Sequence, residues 1–135
     1  MSNELDLTSL TNALASLRRG LARYAMQPAD EELRDACIQR FEYCFELSWK
    51  MLHRRLEMDL PNPASLDAMS YRDLIRTGAE RGLIGDASAW MVYRDKRNTT
   101  SHTYNAEKAA DVADIIPAFE ADALSLLTAL QKSGD

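Results

Sequence analysis

A chain of 135 residues carries 16 lysines and arginines against 21 aspartates and glutamates, a formal charge of -5, with 46% apolar residues. This is the composition of a single globular domain, expected here over residues 1–135; five glycines and four prolines are too few for a turn-rich β-sandwich. The longest uncharged apolar stretch, Ala123 to Gln131, falls well short of the ~20 residues of a membrane span, so no membrane partner is expected.

The opening Met1-Ser-Asn-Glu-Leu-Asp is acidic where a secretory leader is basic and then apolar, which leads to the expectation of a cytoplasmic protein. Leu7, Leu10, Leu14, Leu17, Leu21 and Tyr24 recur in steps of three and four, drawing one apolar stripe on a helix. Arg18, Arg19 and Arg23 lie away from its centre and read as surface charge. Gln27-Pro28-Ala29-Asp30 ends this helix, and Asp30 is placed to cap the next, expected over Glu31 to Met58. Leu33, Cys37, Phe41, Cys44, Phe45, Trp49, Leu52 and Leu56 form its broad apolar face, with Trp49 read as core.

Cys37 and Cys44 are seven residues apart, roughly 10 Å along a helix axis. That exceeds the Cα separation of about 4.4–6.8 Å that a disulfide needs, so both are expected buried and reduced. With no CxxC and only two histidines, neither a zinc cage nor an ExxH di-iron site can be built, and no metal or cofactor is expected.

Pro61-Asn62-Pro63 stops the second helix. Ser70-Tyr71-Arg72-Asp73 resembles a capping box and opens a short helix through Ile75. Gly78, Gly82 and Gly85 punctuate the chain, and Asp86 caps a helix carrying Trp90, Met91, Val92 and Tyr93 toward Arg97. Asn105 is placed to cap the last helix, whose buried side runs Val112, Ile116, Phe119, Ala123, Leu126, Leu127 and Leu130. Pro117 within that pattern predicts a kink, or two helices meeting end to end. No alternating strand pattern occurs. The fold class expected is all-α, an antiparallel, up-and-down bundle of four-helix type with a short extra helix.

The chemistry-bearing segment is Tyr93-Arg94-Asp95-Lys96-Arg97-Asn98-Thr99-Thr100-Ser101-His102-Thr103-Tyr104, where three cations against one acid reverse the sign of the chain. A local positive patch on an acidic protein suits one phosphate group better than long tracking of a nucleic acid. Arg97 and His102 would stand about 140° apart on an unbroken helix, so convergence on one substrate needs the helix to loosen at Thr99-Thr100-Ser101 or a second chain to close the gap. Asn98 is four residues before His102, so on a continuous helix the two share a face and Asn98 can orient the imidazole. An imidazole with a reference pKa of ~6.5 can take a proton from a ribose 2′-hydroxyl, and a guanidinium can stabilise charge growing on phosphorus oxygens. The departing 5′-oxygen also needs an acid, and a two-fold dimer would bring a second His102. On the residues alone, Arg97 and His102 equally fit a solvated helix end, and Tyr104 a surface tyrosine packed on the following helix.

Arg97-Asn98-x-x-x-His102-x-Tyr104 resembles the R-x4-H-x-Y signature of HepT-like proteins in the HEPN superfamily. Asn98 with Ser101-His102-Thr103-Tyr104 is similar to the form found in its nucleotidyltransferase substrate-binding branch. Arg40-Phe41-Glu42 with Glu46 and Trp49-Lys50 resembles that branch's second helix, and Gly82-Leu83-Ile84 with Asp86 and Trp90 supplies a third block in the expected order. The resemblance implies a dimeric helical bundle partnered by a minimal nucleotidyltransferase that acts as antitoxin. It further implies a metal-independent ribonuclease with Arg97 and His102 as catalytic pair, silenced by adenylylation of Tyr104. Related members are substrate-binding subunits, so a non-catalytic nucleotide-binding role is the alternative, and a purely structural dimerisation module is a third reading.

Glu42, Glu46 and Lys50, spaced by four, read first as a solvated ion-pair ladder and second as a carboxylate holding Arg97 or His102. His53-Arg54-Arg55 reads as a basic exposed edge, with phosphate contact as the weaker reading.

Overall fold

The computed structural model describes residues 5–62 and 64–133. Within them the chain forms α1 (Thr8–Met26), α2 (Glu31–Asp59), α3 (Ala64–Asp67), α4 (Tyr71–Glu80), α5 (Ala87–Asn98), a 3-10 turn (Thr100–His102) and α6 (Ala106–Ser133). No strand occurs among the described residues, and no helix is long and apolar enough to cross a membrane. Pro63 and the first four residues, used in the sequence reading, lie outside the described set.

The three long helices α1, α2 and α6 pack on one another, and α5 closes the bundle against α2, α4 and α6. A link of Gln27–Asp30 joins α1 to α2, too short for anything but antiparallel neighbours. Arg40 ties the pair by donating from Nη1 to the Ser16 carbonyl at 2.8 Å. The α1 stripe buries Leu10, Leu14 and Leu17, and Arg18, Arg19 and Arg23 stay exposed as expected.

Four caps sit where local side-chain chemistry puts them. Asp30 accepts from the Glu32 and Leu33 amides, Ser70 from Asp73, Asp86 from Ala89, and Asn105 from Glu107 and Lys108. Cys37 and Cys44 are both buried free thiols. Burial, with the Glu120 charge adding to it, pushes the Cys44 thiol up to about 12.

Some expectations need correction. The helix opened by Ser70 runs to Glu80, past Ile75, and Gly78 lies inside it. A Cβ at Gly78 would stand 3.0 Å from Ile84 and 3.1 Å from Leu52, so this glycine permits close packing on α2. Gly82, at φ +78°, makes the actual stop: Leu83 N–H bonds to Gly78 O at 2.8 Å and Gly82 N–H to Ala79 O at 3.1 Å, a Schellman ending. Of the two outcomes expected at Pro117, the meeting of two helices does not occur: its ring is exposed, and α6 runs on through it, with Val112, Ile116, Phe119 and Ala123 buried on both sides. Arg55 is buried, because it shares a face with Met51, Leu52 and Leu56, and its guanidinium reaches Asp59 at 3.7 Å. Trp49, expected as core rather than as a base-stacking platform, is half-buried and packs against the core from its edge.

Phe119 of α6 gathers the rings that fix α5. Its ring meets Phe41 at 4.9 Å, Tyr93 at 5.2 Å and Trp90 at 5.8 Å, all edge-on. The Tyr93 hydroxyl also donates to the Asp122 carboxylate on α6. Burial and this acidic neighbour hold the Tyr93 phenol well above its usual range.

Candidate active site

Trp90, Tyr93 and Arg97 follow one another at helical spacing on the inward face of α5. Since Trp90 and Tyr93 are locked to Phe119, the next turn carries Arg97 toward α2. Its Nε lies 3.3 Å from Glu46 Oε1, with both side chains about one-third exposed (32% and 35%). The Nε–H is buried and not aligned for a hydrogen bond to that oxygen, so the contact is an ion pair of charge more than of geometry. Glu46 is itself held, its Oε2 accepting from Trp49 Nε1 at 3.2 Å. Of the two readings of the Glu42/Glu46/Lys50 row, the one in which a carboxylate holds Arg97 is what Glu46 does.

The pair sits in a cleft of about 460 Å³ between α2, α3, α4 and α5, floored by Phe45, Leu66 and Leu74. Arg94 and Asn98 border it beside Arg97. The Arg94 guanidinium lies 5.0 Å from the Tyr71 ring centroid. The Tyr71 hydroxyl donates to the Trp90 carbonyl at 2.9 Å, and burial pushes this phenol up, so it stays protonated and structural. Two arginines at one end of a half-apolar cleft form an anion-gripping edge.

The chain beyond Arg97 changes character. Thr99, Thr100 and Thr103 hydroxyls donate to carbonyls three residues back, Lys96, Arg97 and Thr100, at 2.8, 2.8 and 3.1 Å. These local bonds compete with the α-helical ladder and tighten it into a 3-10 turn, the break in the helix that the Arg97–His102 spacing requires. Thr100 Oγ1 also lies 3.5 Å from Arg97 Nη1. His102 ends this turn and is exposed, as is Tyr104 at 87%. Their rings stand 6.3 Å apart at 67°.

Arg97 therefore joins the cleft with Asn98, whereas His102 and Tyr104 stand together outside its lining. No hydrogen bond or ion pair joins His102 to Arg97 or to Asn98 among the described residues. The spacing-of-four argument for Asn98 presumes a continuous helix, and α5 ends at Asn98.

Of these cleft residues, Tyr71 had no place in the site expected from sequence, and His53 had only the weaker reading of phosphate contact. His53 Nδ1 is 3.0 Å from Glu57 and its Nε2 3.7 Å from Asp67, so it is half-buried and paired where an exposed basic edge was expected. The signal was present: Glu46, Trp49 and His53 stand at i, i+3 and i+7 on one face of α2.

Residues 5–132 match the family model for nucleotidyltransferase substrate-binding-protein-like chains. The chain belongs to this HepT-like family. Within it, the chain is 38% identical over 140 residues to the probable ribonuclease HepT of Haemophilus influenzae, covering 98% of this chain and 96% of that one. The fold superposes at a TM-score of 0.90 on the substrate-binding domain of a nucleotidyltransferase from H. influenzae, at 36% identity over 93% of this chain and 99% of that one. A Thermus thermophilus protein matches at a TM-score of 0.72 and 29% identity, over 90% and 98% of the two chains. The likeness to HepT-like proteins covers the whole bundle, the cleft and the 3-10 turn included.

Proposed function

We propose that this single-domain HepT-like chain is a metal-independent endoribonuclease, the toxin of a toxin–antitoxin pair whose other member is a minimal nucleotidyltransferase. The observation that carries the reading is the pairing of Arg97 with Glu46 at the edge of the cleft, followed at once by an exposed turn bearing His102 and Tyr104. Arg97, with Asn98 beside it, grips the scissile phosphate. His102 takes the proton from the ribose 2′-hydroxyl; the 2′-oxygen bonds to phosphorus, and the bond to the 5′-oxygen breaks. That oxygen leaves with a proton from the second imidazole of a two-fold homodimer, His102 of the partner subunit. Pairing of chains thus supplies the second His102 that the departing oxygen needs.

Tyr104 is the residue adenylylated by the partner transferase. A hydroxyl exposed to this degree is open to another enzyme's active site. The added phosphate and nucleoside, next to His102, exclude RNA by charge and by volume.

Purified chain incubated with RNA in EDTA tests the reading. The wild type is expected to cut, and His102→Ala to fall by about 10²-fold or more; equal cleavage by both, or none by the wild type, would defeat it. The alternative, a non-catalytic nucleotide-binding subunit, draws support from the cleft itself, whose lining does not include His102. It predicts nucleotide binding by calorimetry with no RNA cleavage.

A further inference from the structure

Two hollows of the surface share a wall. Trp49 and His53 line the cleft described above and also a second hollow of about 170 Å³, bounded by Lys50, Arg54 and Glu57. The indole is fixed between them: Nε1 is bonded to Glu46, and the Lys50 ammonium stands 5.9 Å from the ring centroid. Lys50 and Arg54 are exposed, one and two turns beyond Glu46 along α2, at about 6 and 12 Å. Arg94 and Arg97 thus mark one end of a strip and Lys50 and Arg54 the other. The carboxylates along it are Glu46, engaged by Arg97, and Glu57 and Asp67, both engaged by His53. Four permanent cations against three paired acids reverse the sign of a chain whose overall charge is -5.

One phosphate cannot meet both ends of such a strip. A single strand can, because its bases stack on aromatic faces while successive phosphates meet lysine and arginine. We propose that the cleft and the second hollow form one short track for single-stranded RNA. One phosphate lies at Arg94 and Arg97, a base rests against Trp49, and a later phosphate lies at Lys50 and Arg54. This rests on RNA being the substrate, but its test is binding without cleavage.

The probe is a fluorescent 2′-O-methyl hexa-adenylate, which lacks the attacking hydroxyl, titrated at several salt concentrations against the wild type and K50Q/R54Q. The double variant is expected to bind at least fivefold more weakly, and its plot of log K against log salt to be less steep by about 1.4, or ~0.7 for each charge removed. Trp49→Phe keeps a ring and most of the affinity, whereas Trp49→Leu loses roughly tenfold. Unchanged affinity and slope in K50Q/R54Q, with matching circular dichroism, would overturn the track. So would binding of adenosine monophosphate with no binding of the hexamer, which would make the cleft a mononucleotide pocket. Failure of the ribonuclease reading shows separately, as unmodified RNA left uncut, and leaves the binding result standing.

Discussion

Arg97 and His102 stand five residues apart in one motif and belong to two different environments. Arg97 is built into the bundle: rings around Phe119 fix α5, and Glu46, itself bonded to Trp49, receives the guanidinium. His102 and Tyr104 lie beyond the end of α5 on a tightened turn, exposed, with each other's rings as company. One half of the motif is positioned by its own chain, and the other half is presented to whatever approaches from outside. The difference teaches that the inner half takes its position from the fold, whereas the outer half is left open to an approaching molecule.

The contrast is broken most severely from the inside. Phe119→Ala removes the ring that meets Phe41, Trp90 and Tyr93, and is expected to cost about 3–5 kcal/mol in urea denaturation. Cleavage should fall with it as α5 loses its seat. Glu46→Gln keeps the shape and the hydrogen bond from Trp49 but removes the charge facing Arg97. RNA cleavage is expected to drop roughly 10- to 100-fold through misplacement of the guanidinium. Stability should change by less than about 1 kcal/mol, since the ion pair is partly exposed.

A third test reads the interior through pH. The folded chain holds the Cys44 thiol and the Tyr71 and Tyr93 phenols protonated by burial, whereas an unfolded chain ionises them at ordinary values. Proton binding therefore favours the fold, and stability falls as pH rises from about 9.0 toward about 12, the interval between the ordinary and folded values of Cys44. Melting temperatures across that range should decline, less steeply in Cys44→Ala. The smallest effect belongs to the outer half. Tyr104→Phe should leave the melting temperature unchanged, and intact mass after co-expression with the transferase should show adenylylation of the wild type alone.

The helices and their caps were legible because each rests on chemistry within a few residues. Asp30, Ser70, Asp86 and Asn105 accept from amides two or three positions on, and the leucine stripe of α1 needs no neighbour to declare it. What was not legible depends on residues distant in sequence. Gly78 reads locally as a break, and only Leu52 and Ile84 show why a helix keeps it. Arg55 looks like surface charge until Met51, Leu52 and Leu56 place it on a buried face. In the site, the motif residues could be named from sequence. The cleft could not, because it is assembled from α2, α3, α4 and α5, and its ion pair joins Glu46 of α2 to Arg97 of α5.

The central claim is that Arg97 and His102 act on one phosphodiester where two chains meet. Its most direct test mixes Arg97→Ala and His102→Ala chains, lets subunits exchange, and measures RNA cleavage in EDTA. Each variant alone is expected to be inactive, and the mixture to recover partial cleavage, above either parent and below the wild type, since mixed dimers contain one intact arginine and one His102 as base but lack the second imidazole as acid. Verified mixed dimers that cut no better than their parents, or a wild type that cuts RNA as a monomer, would contradict it.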